Sequence, residues 1–349
     1  MISALKLKDF RNFQDKKIIF SKKITVLVGP NASGKTNILE AINLLSSGKS
    51  FKAKIEEEMI GYDAEIARVS GKVGRNHELT NLEVVLSRGV ITRGNISERI
   101  ARKRLLVEGV GKRLIDFSGI FTTVVFRPAD LDLVTESPSL RRRFLDGVLS
   151  QVDREYRRAL LSYEKGIRRR NKLLLRIRDE GGLRSHLYFW DKLVIKNGQY
   201  LTGKREEFID FVNNSEKLGD GSYHIDYDRS TISVHRLLEY KREEIAAGTT
   251  LVGPHRDDMV FLDKKRDLAK FGSRGEQRVG VLWLKLAELS YIREETGDKP
   301  TLLLDDIFSE LDHEHRALVG GIAGRQQTII TTADPHHLEI KGKFEKILL

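Results

Sequence analysis

The segment best suited to chemistry is a glycine-rich loop with the spacing G-x-x-x-x-G-K-[ST]. Its residues are Gly29, Pro30, Asn31, Ala32, Ser33, Gly34, Lys35 and Thr36. The loop follows an apolar run at residues 24–28 and precedes a helical pattern, so free backbone N–H groups would point at an anion. Lys35 would then supply positive charge for the β- and γ-phosphates of a nucleotide, and the Thr36 hydroxyl is placed to ligate Mg²⁺. The loop therefore predicts a site for a nucleoside triphosphate and Mg²⁺.

A pair of carboxylates follows another apolar run, nearer the end of the chain. Residues 301–304 predict a buried strand, and Asp305 and Asp306 come directly after it, at the end where open α/β sheets bind ligands. We expect Asp305 to hold Mg²⁺, directly or through water, and Asp306 to polarise the attacking water. A simple strand-to-loop exit is the alternative for the pair taken alone. Together with the loop, the pair predicts nucleotide hydrolysis, with Lys35 and Asp306 as catalytic residues.

A third segment, Ser273-Arg274-Gly275-Glu276-Gln277, precedes the acidic pair by some thirty residues. Ser273 with Glu276 three residues later is the pattern of a capping box at the start of a long helix. A helix N-terminus with a serine and a glycine is also a second anion-binding device. The two interpretations are compatible, because Ser273 can cap the helix until a phosphate arrives. We assign Ser273 and Gly275 to nucleotide binding, and Ser273 to catalysis as well.

These segments need a sheet to position them, and the periodicity of the chain predicts an α/β fold. Strand-like patterns fall at residues 1–28, 65–118, 121–126, 301–304 and 327–331. Helical patterns fall at residues 36–45, at 139–213 with a break near Gly181-Gly182, and from Ser273 onward. We therefore predict a discontinuous nucleotide-binding lobe at residues 1–138 and 249–349, with a mainly helical lobe inserted at 139–248.

The amino-acid composition limits the classes of protein to which the chain can belong. The chain has 349 residues, of which 40% are hydrophobic, and this is ample for a large buried core. It has no cysteine, which excludes disulfides, thiolate zinc sites and cysteine nucleophiles. Its first residues show no export signal, and no apolar segment is long enough to span a bilayer. We expect a cytoplasmic protein without a membrane partner.

The charge is basic and unevenly distributed. Lys and Arg number 61 against 50 Asp and Glu, and residues 154–178 alone carry ten basic and two acidic residues. Like charges three or four positions apart on a helix repel each other, and a polyanion would relieve that cost. We therefore expect this segment to contact the DNA backbone, the alternative being a solvated helix face. The candidate contacts are Arg154, Arg157, Arg158, Arg168, Arg169 and Arg170.

The three nucleotide motifs together resemble those of the ATP-binding-cassette (ABC) ATPases. The segment Ser309-Glu310-Leu311-Asp312 resembles the D-loop of that family. The match narrows to the SMC/RecF branch through four further segments, at residues 7–13, 126–131, 137–146 and 251–258. The branch implies an ABC-type P-loop ATPase head with an inserted helical lobe. The span between the nucleotide motifs is too short for the long coiled-coil arm of an SMC protein.

The resemblance also implies a function. Two subunits would dock head to tail on ATP, with Ser273 of one copy covering the nucleotide bound by the other. The dimer would bind gapped or junction duplex DNA, and with a RecR-like mediator would help to load the RecA recombinase in DNA repair and replication. Slow ATP hydrolysis would act as a timer that opens the dimer. ATP and Mg²⁺ are the implied cofactors.

Two departures from the superfamily stand out. Many ABC ATPases have glutamate where this chain has Asp306, and the shorter side chain would hold water more loosely. Transporters place a histidine after the strand that follows the acidic pair; here His336 and His337 are near, and neither is assigned as a γ-phosphate sensor. The role of residues 255–258 is also unassigned, although they resemble a metal or acid–base cluster.

Three alternatives share the superfamily's site. The chain could be a transport ATPase subunit, an ATP-gated nuclease subunit, or a nucleotide-switched scaffold with negligible turnover. Two smaller questions also stay open. Arg11 is equally consistent with a nucleotide contact and with an ordinary surface position. The three arginines at residues 141–143 are equally consistent with contact to phosphate or DNA and with solvent-exposed charge.

Overall fold

The computed structural model describes residues 1–75, 78–93, 96–218, 221–309, 311–334 and 343–349. The strands are β1 (Ile2–Phe10), β2 (Phe13–Ile19), β3 (Ile24–Val28), β4 (Ile66–Arg75), β5 (Glu78–Ser87), β6 (Val90–Arg93), β7 (Ile96–Arg99), β8 (Lys103–Val107), β9 (Val110–Lys112), β10 (Thr123–Phe126), β11 (Tyr223–Asp228), β12 (Asp258–Asp263), β13 (Arg266–Asp267), β14 (Thr301–Asp305), β15 (Thr328–Thr332) and β16 (Glu345–Leu348). The α-helices are α1 (Lys35–Ser47), α2 (Leu114–Phe117), α3 (Asp132–Thr135), α4 (Pro138–Val152), α5 (Arg154–Glu180), α6 (Tyr188–Asn214), α7 (Val234–Glu239), α8 (Lys241–Ala247), α9 (Leu268–Phe271), α10 (Arg274–Thr296) and α11 (His313–Ala323).

A parallel sheet positions the predicted nucleotide motifs. Its strand order is β10-β14-β15-β3-β16, and every neighbouring pair is parallel. All residues of β3, β14 and β15 are buried, which explains why these strands read as apolar runs without alternation. β3 leads into the glycine loop and then into α1, as the sequence predicts for a phosphate-binding loop.

A second, antiparallel sheet packs with α1 in the same unit. Its order is β2-β1-β4-β5-β8-β9, and its alternating burial gives one apolar face. Ile38 and Ile42 of α1 share one core cluster with Leu5 of this sheet and with Leu303 and Ile329 of the parallel sheet. The helix that follows the glycine loop is therefore held in place by apolar side chains from both sheets.

The second unit is mainly helical and contains the three-stranded antiparallel sheet β11-β12-β13. Asp153 caps α5 by accepting hydrogen bonds from the N–H groups of Glu155 and Tyr156. α5 and α6 approach each other closely at Gly166, where an added Cβ would lie 2.6 Å from a methyl carbon of Leu193. Gly181, with φ 71°, ends α5 in the left-handed region, at the break that the sequence predicts.

The division of the chain differs from the predicted boundaries. One compact unit comprises Met1–Asp130 with Ile292–Leu349, and the other comprises Leu131–Tyr291. Residues 249–291 thus belong to the helical unit, because β12 pairs with β11 along its whole length. None of the helices in the described part of the chain combines the length and the apolarity that a membrane crossing needs.

Candidate nucleotide-binding site

Strand register brings the glycine loop and the acidic pair to one edge of the parallel sheet. Asp305 is level with Thr331 of β15, and Thr331 is level with Leu27 of β3. The loop begins directly after β3, so Thr36 and Asp305 meet although 269 positions separate them in sequence. The carboxyl edge of the sheet is where ligands of open α/β folds bind.

Thr36 and Asp305 form a pair of oxygen donors. The Thr36 hydroxyl donates to Asp305 Oδ1 at 2.9 Å, and Asp305 is buried, with 8% of its surface exposed. Mg²⁺ prefers oxygen ligands and commonly takes one or two carboxylates, with water and phosphate oxygens completing its shell. The donor set therefore fits the predicted cation. No cluster of three or more acidic or histidine side chains that could hold a metal occurs among the described residues.

Lys35 lies folded over the glycine loop. Its ammonium group donates to the carbonyl oxygens of Gly29 at 2.6 Å and of Pro30 at 2.8 Å. Gly34 has φ 102°, and an added Cβ would lie 2.5 Å from the Phe13 ring, so only glycine fits this position. The Asn12 side chain donates to the Ser33 carbonyl at 3.2 Å, which braces the loop from the β1–β2 turn.

Asp306 has an unusual backbone conformation. Its φ of 52° lies in the left-handed region, where aspartate is tolerated better than most residues. Its N–H donates to the carbonyl oxygen of Thr331 at 3.2 Å and to the Thr331 hydroxyl at 3.0 Å. The Thr331 hydroxyl itself donates to Asp305 Oδ1 at 2.8 Å. Sequence reasoning assigned no role to Thr331; a threonine on a fully buried strand next to the strand of the acidic pair is the signal that could have found it.

Arg11 is engaged with protein groups. Its Nε and Nη2 donate to the Glu40 carboxylate at 2.8 and 2.6 Å, and its Nη1 donates to the Glu58 carbonyl at 2.7 Å. Glu40 is fully buried on α1 and also accepts a hydrogen bond from the Ser50 hydroxyl at 2.5 Å. Arg11 therefore ties the β1–β2 turn to the helix that follows the glycine loop. Sequence reasoning did not single out Glu40.

A cavity that is wide open to solvent, and is lined mostly by residues with polar side chains, lies beside this turn. Its volume is about 530 Å³, and Arg11, Asn12, Asn37, Lys52 and Tyr62 are among its lining residues. Asn37 lies on α1 two residues after Lys35, and its amide donates to Asn12 Oδ1 at 2.9 Å. The cavity is thus built from the same turn and helix that position the glycine loop.

The predicted capping box at Ser273 is confirmed. The Ser273 N–H donates to Glu276 Oε2 at 2.7 Å, and the Glu276 N–H donates to Ser273 Oγ at 3.2 Å. The hydrogen bond from the Ser273 N–H holds the pKa of Glu276 below its ordinary value. Ser273 and Gly275 are exposed at the start of α10. Their binding to a nucleotide held by a second copy stays a prediction.

α5 carries the basic segment, and most of its cations lie on one exposed face. Lys165, Arg168, Arg169, Lys172 and Arg176 are all exposed and follow the helical spacing i, i+3, i+4, i+7, i+11. We call these five residues the basic face. Arg154 and Arg158 are also exposed and continue it toward the N-terminus of the helix, at the same helical spacing.

Two of the predicted DNA contacts are used inside the protein. Arg157 donates to the Ser150 carbonyl at 2.6 Å. Arg170 is 1% exposed; it donates to Asp191 and Glu244, each at 2.7 Å, and to Thr250 at 2.8 Å. The prediction that Arg170 reaches DNA is wrong. Its position on the opposite side of α5 from the basic face places it in the core, and its charge is neutralised there.

Residues 255–258 belong to a buried polar network. Asp257 is fully buried and accepts hydrogen bonds from Arg205 at 2.8 Å, from the Tyr227 hydroxyl and from the Ser230 N–H at 2.8 Å. His255 lies between the Tyr163 hydroxyl, at 2.7 Å, and the Thr250 carbonyl, at 3.0 Å. Burial lowers the pKa of His255 to about 4, so the ring is neutral. These groups hold the helical unit together.

The same network explains the arginine cluster at residues 141–143. Arg141 is 8% exposed and binds Asp258 through two hydrogen bonds, at 2.6 and 2.9 Å. Arg142 donates to the Asp257 carbonyl at 2.7 Å, whereas Arg143 is exposed. The first two therefore brace the helical unit.

The segment after the acidic pair is described in part. The Ser309 hydroxyl donates to the Asp306 carbonyl at 2.7 Å, and Asp312 caps α11 by accepting from the His315 N–H at 3.0 Å. Glu310 of the predicted D-loop lies outside the described residues, and so do His336 and His337.

Comparison with known proteins places the chain in a family. The model of the RecF/RecN/SMC N-terminal domain matches residues 1–348. A protein of Lachnoclostridium phytofermentans named DNA replication and repair protein RecF is 36% identical over 343 residues, which cover 95% of this chain and 92% of that protein. A protein of the same name from Herpetosiphon aurantiacus is 35% identical over 360 residues, covering 95% and 93%.

Similar solved structures support the same family assignment. The recombination mediator protein RecF with ATP, in the RecFOR pathway, has a TM-score of 0.89 at 30% identity, covering 99% of this chain and 95% of that one. An Smc head bound to the C-winged helix domain of ScpA has a TM-score of 0.51 at 17% identity, covering 97% and 90%. The second likeness concerns the fold: both chains share the ABC-type ATPase head.

Proposed function

Because the chain belongs to the RecF/RecN/SMC N-terminal domain family, we propose that it is an ATP-dependent DNA-binding recombination mediator of the RecF type. ATP would join two copies, the dimer would bind gapped or junction duplex DNA, and hydrolysis would reset it. The observation that carries this proposal is the meeting of Thr36, Asp305 and Asp306 at the end of the parallel sheet, next to the glycine loop.

The nucleotide would bind along the loop at residues 29–36. The N-terminus of α1 offers free N–H groups to its phosphates, and Lys35 can exchange its two carbonyl partners for phosphate oxygens. Thr36 and Asp305 would hold Mg²⁺, which neutralises the charge that develops on the phosphates. The cavity of about 530 Å³ that Asn37 lines is large enough for a nucleoside, and we propose it as the place of the base and ribose.

Asp306 would orient the attacking water. Its left-handed backbone and the two hydrogen bonds to its N–H fix where its side chain begins. The side chain is one methylene shorter than the glutamate common in the superfamily, so we propose slow hydrolysis. Slow hydrolysis would serve as a timer for dimer opening. The contacts to the γ-phosphate distinguish the ATP-bound dimer from the separated copies, and these contacts are lost when the γ-phosphate leaves.

Ser273 and Gly275 would complete the site of a second copy. Both are exposed at the N-terminus of a long helix, where a phosphate is favoured by the helix dipole. The Ser273 hydroxyl already accepts a hydrogen bond at this N-terminus, so a phosphate would replace the capping contact. The dimer interface is thus proposed to depend on ATP.

The basic face of α5 would contact the DNA backbone. Its five exposed cations support binding to phosphates irrespective of base sequence. The relatives named RecF, and the structures of RecF in the RecFOR pathway, support a role in DNA repair and replication with a RecR-type partner that assists RecA loading.

Sedimentation and hydrolysis measured together test the proposal. We expect the chain to sediment as a dimer with ATP and Mg²⁺ and as a monomer with ADP, and gapped duplex DNA to stimulate a low ATPase rate. Lys35→Ala is the matched negative control, because it removes the phosphate-binding charge at the glycine loop. A monomer in every nucleotide state, or a rate indifferent to DNA, would contradict the proposal.

A further inference from the structure

Thr331 lies in the interior of the parallel sheet and is fully buried. The two residues that precede it on β15, Ile329 and Ile330, are apolar, as expected for a central parallel strand. A hydroxyl in such a place destabilises the fold unless it is hydrogen-bonded. At Thr331 the nearest partners are the carboxylate of Asp305, at 2.8 Å, and the N–H of Asp306, at 3.0 Å, and the Leu304 carbonyl lies farther away, at 3.4 Å.

The two shorter hydrogen bonds of the Thr331 hydroxyl end on residues of the acidic pair. Two hydroxyls, those of Thr36 and Thr331, donate to the same oxygen of Asp305. The Thr36 hydroxyl donates its proton to Asp305 and keeps its lone pairs for a cation, whereas the Thr331 hydroxyl is fully buried and holds the same carboxylate oxygen from inside the sheet. Thr331 therefore restrains the rotation of the carboxylate from the side that a cation does not reach.

We propose that Thr331 is a positioning residue for the magnesium site: its hydroxyl holds the Asp305 carboxylate in the orientation that receives the cation. The inference rests on the proposed Mg²⁺–nucleotide site. It predicts a specific defect, because the Asp306 N–H keeps its second acceptor, the Thr331 carbonyl at 3.2 Å, when the hydroxyl is removed. The affinity for Mg²⁺ should fall more than the turnover rate at saturating Mg²⁺.

Thr331→Val removes the hydroxyl at nearly constant volume, and Thr331→Ser keeps it. Thr328 provides a matched control on the same strand, since it is also fully buried, but its hydroxyl donates to the Ala323 carbonyl at 2.9 Å, away from the acidic pair. Thr328→Val thus introduces the same change of side chain into the same strand. It should lower stability without affecting the metal.

Binding of a fluorescent ATP analogue to the full chain, titrated with MgCl₂ and repeated in EDTA, tests the proposal. For Thr331→Val we expect the half-saturating Mg²⁺ concentration to rise by about tenfold or more, the range seen when outer partners of metal ligands are lost. Affinity in EDTA should be unchanged, and the Thr331→Ser and Thr328→Val variants should behave like the wild type.

Three results would overturn it: a Thr331→Val variant with wild-type Mg²⁺ dependence, a serine variant as defective as the valine variant, or a wild-type chain whose nucleotide binding ignores Mg²⁺. If the valine variant does not fold, Thr331→Ala compared with Thr331→Ser gives the same contrast. The binding assay needs no dimer. Failure of the chain to dimerise would therefore count against the proposed function, whereas the role of Thr331 would still be decided by the Mg²⁺ titration.

Discussion

Replacing Arg168 and Arg169 with alanine tests the basic face most directly. Both side chains are exposed near its centre, so the change should leave the core of the helical unit intact. The face extends from Lys165 to Arg176, a rise of roughly 16 Å along the helix. Duplex DNA carries a charge about every 1.7 Å of its axis, so each of the five cations can meet a phosphate.

The expected magnitude follows from counterion release. Each phosphate contact contributes about −0.9 to the slope of log K against log salt concentration, so losing two contacts reduces the steepness of the slope by about 1.8. Between about 50 and 200 mM salt, the wild type should therefore lose about tenfold more affinity than the variant. Fluorescence anisotropy of a labelled gapped duplex, with a non-hydrolysable ATP analogue present, measures this slope.

A second double variant separates local contact from net charge. Lys241 and Arg242 are exposed on α8 of the same unit, and replacing both with alanine changes the net charge by the same amount. We expect this variant to keep the wild-type slope. Equal slopes for the Arg168/Arg169 variant and the wild type, or equal changes in both double variants, would refute the assignment of DNA contact to the basic face.

Three further outcomes are expected. Asp306→Asn, which tolerates the left-handed backbone, should still dimerise on ATP but dissociate more slowly than the wild type; equal dimer lifetimes would exclude Asp306 from water activation. Arg170→Met should lower the free energy of unfolding by about 3–5 kcal/mol in urea titrations while leaving the salt slope of DNA binding unchanged, because it strands the buried Glu244 carboxylate. Burial lowers the pKa of His255 from 6.5 to about 4, so the unfolded chain binds more protons between these values. The stability that the neutral His255 provides is therefore intact above pH 6.5 and is lost as the pH falls toward 4. At about pH 5 the loss in the free energy of unfolding should be about 2 kcal/mol. A His255→Gln variant that loses as much stability as the wild type between pH 7 and 5 would contradict this.

Structural features formed by neighbouring residues can be predicted from the sequence. The glycine loop is eight consecutive residues between a strand and a helix, and the structure has β3 and α1 at those places. The capping box at Ser273 and Glu276 spans a single helical turn, and both of its hydrogen bonds are present. Such features depend on neighbours along the chain, so their residue types carry most of the information.

The burial of a side chain is harder to predict from the sequence, because it depends on residues that are distant along the chain. Ten basic residues between 154 and 178 look alike in sequence, yet Arg170 is enclosed by Asp191, Glu244 and Thr250, which come from elsewhere in the helical unit. The boundary between the two units differs from the predicted one for a similar reason: β12 pairs with β11, a strand more than thirty positions earlier in the chain.

The amino-acid sequence by itself determined the chemistry available to this protein: a phosphate-binding loop, an acidic pair, a serine-glycine helix start and an excess of positive charge on one helix. The tertiary structure alone decided which of those groups meet. Parallel strand register sets Thr36 against Asp305 and places the Thr331 hydroxyl against the Asp305 carboxylate and the Asp306 N–H, and packing of α5 separates the exposed Arg168 from the buried Arg170. Register and packing join residues that are far apart in the chain, and so no local pattern encodes them.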